Sequence, residues 1–218
     1  MNTLKTMAAV AAAVLISGLP ATAAVAASTA STASTPYRWL AGNPDGTYTI
    51  DPQHTEVLFT LGHVGVAPFT GRFDKISGTY TFDKKDPRKN QAHIRIPAAS
   101  INTNFALRDE HLRDKPFFDV KKYPDITFVS TRYQPTGKDT GNLYGQLTLR
   151  GITRSVVFQV REKGAGNVAY LPKPWGGHLS GFVARTTIRR SDYGMTAYLP
   201  EGLSNTIHIT VEVEGVRQ

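Results

Sequence analysis

Apolar and polar residues alternate along most of this chain with a period of two, the pattern of strands with one dry and one wet face. The clearest case is NTIHITVEVEG near the C-terminus. There Ile207, Ile209, Val211 and Val213 point one way, and His208, Thr210, Glu212 and Glu214 the other. TYTIDPQH predicts a short strand. In TEVLFTLGHVG, Val57, Phe59, Leu61 and His63 share a face opposite Glu56 and Thr60, with Leu58 breaking the alternation. Phe69, Gly71 and Phe73, then Ile76, Gly78, Tyr80 and Phe82, are in step, and their glycines suit bends in a tightly curved sheet. Ile94 and Ile96, then DITFVSTRY, then Leu147 and Leu149, then Val156, Phe158 and Val160, then Phe182, Ala184 and Ile188 continue the series. Polar turns are expected at Lys84 to Asn90 and Gly137 to Asn142, and a Gly/Pro loop at Lys163 to Gly177.

The period changes once, in SINTNFALRDEHLRDKPFFDVKKYPDITF, from Ser100 to Phe128. Asn104 suits a helix N-cap, Phe105 and Leu112 lie seven apart on one face, and Asp109 and Arg113 are spaced as an i, i+4 pair. Pro116 ends the segment, because it lacks an N–H and pushes Lys115 out of the helical region. Arg108, Asp109 and Arg113 read as a surface ion network orienting this helix. Its mid-chain position predicts a lid or plug for a closed sheet.

About eight strands with one dry face and no βαβ rhythm predict an antiparallel all-β domain with one short helix. Such a sheet must pair with a second sheet or close on itself. Eight closed strands leave room for side chains or one small ligand. Pattern alone leaves barrel and sandwich open.

Composition changes this picture mainly at the N-terminus. Lys5, the apolar run Met7 to Ile16, the breakers Gly18 and Pro20, and Ala-x-Ala patterns ending at Ala26 have the order of a secretory signal peptide. The run is shorter than the ~20 residues of a spanning helix. The expected organisation is therefore a leader over 1–26, an Ala/Ser/Thr-rich flexible linker over 27–46, and one domain over 47–218. Tyr37, Trp39 and Leu40 are the linker residues able to dock on that domain. The formal charge is +8, with 19% charged residues and no cysteine. That excludes disulfides and thiolate metal sites. The bases are scattered, which argues against a nucleic-acid surface. The cluster Lys84 to Lys89 reads as a solvated turn, with attraction to anionic lipid head groups as the sharper alternative.

Candidate chemistry is sparse. The six histidines, His54, His63, His93, His111, His178 and His208, show no HExxH spacing. His54 and His63 could approach across a curled strand, but a metal site needs three or four converging ligands. His63 extends the dry face and is suited to a hydrogen bond inside the barrel or to a ligand head group. No Gly-x-Ser-x-Gly elbow or Cys nucleophile exists. Asp109 and Glu110 are adjacent and so do not share a helix face. Arg189, Arg190 and Asp192, in RRSDYG, read as turn stabilisers. No catalytic, metal or cofactor residues are expected.

The blocks HTEVLFTLGHVGVAPFTGRFDKISGTYTFD, SINTNFALRDEHLRDKPFFDVKKYPDITFVST, LYGQLTLRGITRSVVF and ITVEVEGV together resemble the YceI-like polyisoprenoid-binding family, from Thr47 to the C-terminus. The resemblance implies an eight-stranded antiparallel, lipocalin-like barrel around an elongated apolar tunnel. It implies periplasmic binding, storage or transport of a long isoprenoid lipid, an isoprenoid quinone or polyprenyl lipid, without covalent chemistry. Some members of the family are thought to take fatty-acid derivatives. On that reading the dry face is the tunnel wall, formed by Val57, Phe59, Leu61, His63, Phe73, Tyr80, Phe82, Ile94, Ile96, Phe128, Leu147, Leu149, Phe158, Phe182, Ile188, Ile207, Ile209 and Val211. The partners expected are the isoprenoid lipid, a membrane or membrane-protein donor or acceptor, and a second copy of the chain, but not nucleic acid. The alternative is a periplasmic enzyme acting on a lipid or fatty-acid derivative held in the same tunnel. The lack of a converging nucleophile or metal set in the sequence favours the carrier.

Overall fold

A computed structural model describes residues 40, 42, 44–173 and 175–218. The leader over 1–26, most of the linker, and its residues Tyr37 and Trp39 lie outside the described residues.

The described chain forms the strands β1 (Gly46–Ile50), β2 (Glu56–His63), β3 (Ala67–Phe73), β4 (Ser77–Phe82), β5 (Gln91–Pro97), β6 (Ile101–Asn102), β7 (Asp125–Gly137), β8 (Thr140–Leu149), β9 (Ile152–Asn167), β10 (His178–Arg189) and β11 (Thr206–Arg217), with one helix, α1 (Ala106–Arg113). Every pairing is antiparallel. β1 and β2 form one stave broken at 51–55, and β3 and β4 a second broken at 74–76. The ring runs from these two through β5, β7, β8, β9, β10 and β11. It closes where β11 pairs with β1 at Ile50↔Gly215 and with β2 at Phe59↔Ile209. The result is a closed eight-stranded barrel. Closure of the ring answers the open alternative of a sandwich.

Gly78 marks the break in the second stave. Its φ is +145°, and a Cβ there would collide with the His93 carbonyl of β5, so only glycine fits. Register shifts at Ser130/Arg132 and Gly181/Phe182 add the local twist that a small closed barrel requires. Strands also run further into the expected turns than their composition suggests. β9 continues to Asn167, so the Gly/Pro loop is only its C-terminal part. Between β7 and β8 only Lys138 and Asp139 lie outside a strand.

The dry faces meet inside the barrel. Phe128 and Phe158 make a T-shaped pair at 5.1 Å, and Phe73 meets Phe118 edge-on at 5.6 Å. Tyr48 and Tyr80 face each other across β1 and β4 and stack at 5.2 Å. The Tyr80 hydroxyl donates to the Ser180 carbonyl at 2.9 Å. Leu40 and Pro44 also engage the domain. The Leu40 carbonyl accepts from Ala165 N–H at 3.1 Å, and the Pro44 carbonyl from the Tyr48 hydroxyl at 2.7 Å.

The helical segment departs from expectation in its details. α1 begins at Ala106 with Phe105 in the N-cap position and no side-chain cap. Asn104 does not cap it but sits in a left-handed turn at φ +60°. Phe105, outside the helix, is exposed, while Leu112 packs on the core. Asp109 and Arg113 do not pair. Asp109 is buried, and its Oδ1 accepts from Thr103 N–H at 2.9 Å and from Thr103 Oγ1 at 2.5 Å. Arg113 instead donates to the carbonyls of Ala99 and Ile101. The expected surface ion network is thus a latch of hydrogen bonds to neutral groups, holding α1 to the segment before it. Nor is α1 the sole helical turn, because short 3₁₀ turns form at Pro87–Lys89, Ala98–Ser100 and Arg190–Tyr193. Among the described residues, no helix is long and apolar enough to cross a membrane.

Candidate functional site

Because side chains on a strand alternate, the inward residues of the eight staves line one space. It is a cavity of about 520 Å³. That lies within the ~300–1,000 Å³ typical of small-ligand pockets. All the residues expected on the tunnel wall lie on its lining: Val57, Phe59, Leu61, His63, Phe73, Tyr80, Phe82, Ile94, Ile96, Phe128, Leu147, Leu149, Phe158, Phe182, Ile188, Ile207, Ile209 and Val211. His63 is the outlier. It ends β2, is exposed, and bridges to Leu203, so it stands at the mouth and not in the interior.

The register fixes which residues share each end. At one end His63 opposes Ala67, Ile188 opposes Ile207 and Leu149 opposes Ile152. α1 sits at this end. Arg108 lies over the Phe69 ring at 4.3 Å, and Tyr198 packs on both His111 and Phe117. Phe117 and Phe118, which follow α1, join Leu112 and Arg108 in lining the cavity. The other end carries Phe82, Asn90, Tyr133, Leu143 and Val213. There the Asn90 side chain is buried and accepts from Asp83 N–H at 2.6 Å. The Tyr133 ring lies over Gly141, and burial pushes its phenol pKa up.

Sequence reasoning missed two lining residues of consequence. Arg190, expected as a turn stabiliser, is buried beside the cavity at 2% exposure. It holds the loop after β10 by four hydrogen bonds: Nε to Ser204 O (2.9 Å), Nη1 to Met195 O (2.9 Å), and Nη2 to Ala197 O (2.8 Å) and Leu203 O (3.1 Å). Burial lowers its pKa, but a guanidinium starts so high that it stays a cation. Arg108 donates Nε to Thr103 Oγ1 (2.8 Å) and Nη2 to Thr103 O (2.7 Å). The signal available in the sequence was the arginine at each end of apolar runs. Its burial was not legible there.

Among the described residues, the lining contains no Ser, Cys, Lys, Asp or Glu. Elsewhere, His54 and His63 do not approach each other. His54 Nδ1 instead pairs with Asp51 Oδ2 at 2.8 Å, with Glu214 Oε1 at 3.7 Å. Among the described residues, Asp51, His54 and Glu214 bring ligand-type atoms within 4.8 Å of one another. None of the three lines the cavity.

Fold and cavity together define a small β-barrel of lipocalin-like architecture with an apolar interior. A family model, the YceI-like domain, matches residues 48–215, and the chain belongs to this family. A UPF0312 protein of Pseudomonas putida is 37% identical over 173 residues, covering 78% of this chain and 86% of that protein. Among solved structures, BcnA of Burkholderia cenocepacia superposes with a TM-score of 0.67 at 24% identity, over 76% of this chain and 98% of that one. A polyisoprenoid-binding domain from Saccharophagus degradans, described as implicated in plant cell wall breakdown, superposes with a TM-score of 0.58 at 17% identity, over 78% of this chain and 98% of that one. At these identities the two likenesses are of fold.

Proposed function

We propose that this protein binds a long isoprenoid lipid, an isoprenoid quinone or polyprenyl lipid, in the barrel cavity and stores or carries it without covalent chemistry. The observation that carries the reading is the cavity itself, a space inside the barrel walled mostly by aliphatic and aromatic side chains. Burial is worth ~0.8 kcal/mol per methylene-sized group, so a five-carbon isoprene unit gains roughly 3–4 kcal/mol when fully enclosed. The lining is mostly aliphatic and aromatic, which supports carriage. The polyisoprenoid-binding description of the Saccharophagus neighbour points the same way. The N-terminal pattern completes the proposal, with export to the periplasm and cleavage near Ala26.

The test is solvent extraction and mass spectrometry of the purified mature protein, with N-terminal sequencing of the same sample. The expected result is a prenyl-chain lipid and a start near residue 27. Ile209→Asp, which puts a carboxylate into the cavity, should lower lipid per folded protein, because an unpaired buried charge is very costly. Thr210→Asp, on the outer face of the same strand, should not. A protein that carries no lipid and takes up no isoprenoid quinone offered in detergent would sink the reading. Recovery of intact Met1 would sink the export part alone.

A further inference from the structure

We propose that Asp51, His54 and Glu214 form a binding site for one divalent transition-metal ion of the zinc type, on the outer face of the barrel at the seam where it closes. The inference is independent of the lipid reading, since none of the three residues lines the cavity.

The site lies where β11 changes partner. β11 pairs with β1 at Ile50↔Gly215 and with β2 at Glu56↔Glu212, so Glu214 falls opposite the break at 51–55. Val213 lines the cavity, and strand alternation turns the Glu214 side chain to the outer face. The break supplies the other two ligands from one short turn. Both of its ends are tied to the Glu214 backbone. Asp51 N–H donates to the Glu214 carbonyl at 2.9 Å, and the Thr55 hydroxyl donates to the same carbonyl at 3.2 Å. Glu214 N–H donates to Thr55 Oγ1 at 3.1 Å. The backbone therefore holds the three ligand residues together without help from an ion.

The donor atoms converge. His54 Nδ1 lies 2.8 Å from Asp51 Oδ2 and 3.7 Å from Glu214 Oε1, and one ligand atom from each residue falls within 4.8 Å of the others. Bonds of ~2.0–2.1 Å in a tetrahedral site set ligand atoms roughly 3.3 Å apart. The spacings to His54 bracket that value, so small side-chain rotations suffice. The ion takes the place of the proton between His54 and Asp51. Asp51 Oδ1 accepts from Gln53 N–H at 2.8 Å, which orients the carboxylate and leaves Oδ2 for the ion. Two carboxylates balance a divalent charge. One imidazole nitrogen among them suits zinc and its neighbours, whereas magnesium and calcium favour all-oxygen shells. His54 is half exposed, so an ion enters from solvent and keeps water in its open position. Bound there, it joins the β1–β2 turn to β11 and strengthens barrel closure.

The test titrates zinc chloride into the chelator-treated mature protein by calorimetry and follows thermal unfolding at each zinc concentration. One ion should bind per chain, and the unfolding midpoint should climb with zinc, as linkage requires of a ligand of the folded state. Magnesium at the same concentration should neither bind comparably nor compete. His54→Gln and Glu214→Gln should each weaken zinc binding by about tenfold or more, since even bonds that only orient a ligand are worth about 10–100-fold. His208→Gln should leave binding intact. That histidine lies on the same strand but bonds to Thr187. All three changes are on the outer face, and unfolding curves without zinc check that each variant is folded. The wild-type titration needs no variant at all. Absence of zinc binding to wild type would overturn the site. Zinc binding that survives both His54→Gln and Glu214→Gln would assign the ion to other side chains and overturn it equally. Magnesium binding as tightly as zinc would overturn the choice of metal.

Discussion

The ring of Phe59 lies over Gly71, its direct partner across the β2–β3 hairpin, in the space that a Cβ at position 71 would occupy. Phe59 then lines the cavity, and Phe73 meets it at 5.7 Å. Gly71 therefore sets how far the aromatic wall stands from the barrel axis. Gly71→Ala should force the ring inward, cost about 1–3 kcal/mol by overpacking, and reduce bound lipid. In a Phe59→Ala background the same change should cost much less, a coupling that a double-mutant cycle by urea denaturation reads directly. An unchanged cost in that background would show that the ring and the glycine are independent.

Asp109 is the buried post on which the start of the α1 segment hangs. Both of its bonds go to Thr103. Asp109→Ala removes a charged acceptor from a buried amide and hydroxyl, which should cost about 2–3 kcal/mol. Hydrogen exchange should localise the loss to the amides of 103–113 while the barrel strands stay protected. Asp109→Asn, which keeps an acceptor, should lose less. A loss under 0.5 kcal/mol for the alanine variant would contradict the latch.

Arg190 organises the loop between β10 and β11. Arg190→Met would fill similar volume yet leave four carbonyls without their donors. A loss of about 3 kcal/mol or more is expected, with proteolysis appearing within 195–205. Arg190→Lys should rescue little, since one ammonium has three donors and no planar fork. Full rescue by lysine would mean that charge alone matters there.

His54 gives the fold a small pH dependence. Its hydrogen bond to Asp51 raises its pKa above the usual 6.5, against a slight lowering by burial. A raised folded pKa means the stabilisation is complete below about 6.5 and is lost as pH climbs through the higher folded value. His54 is half exposed, so the amplitude should be only a few tenths of a kcal/mol. Glu214 is raised too, chiefly by burial, but it acts in the carboxylate range below. His54→Gln should thus flatten stability between pH 6.5 and 8. A wild-type stability that rises across that window would reverse the sign of this argument.

Much of the fold was legible because strand periodicity is local. The alternation through Ile207, Ile209, Val211 and Val213, and through Val57, Phe59 and Leu61, named the inward face before any contact was known. In a barrel that face is both core and ligand wall, so residues chosen as dry were also residues of the cavity. The break in period near Ala106 located α1 in the same way, and charge and spacing argued against nucleic-acid and hydrolase sites.

Tertiary structure decided whatever depends on partners distant in the chain. Closure rests on β11 meeting β1 and β2, more than 140 residues away, at Ile50↔Gly215 and Phe59↔Ile209. No local pattern distinguishes that from a sandwich. Asn104 and Asp109 misled because a helix cap and an i, i+4 pair are only the local options. Thr103 offered the Asp109 carboxylate a buried amide and hydroxyl, and the desolvated bonds prevailed over an exposed ion pair. Arg190 was legible as a turn residue. Its burial among four carbonyls, and hence a cation at one end of an apolar cavity, required the loop after β10 to fold back over the barrel mouth. Cavity volume belongs to the same class, since it is what remains when eight curved strands have met.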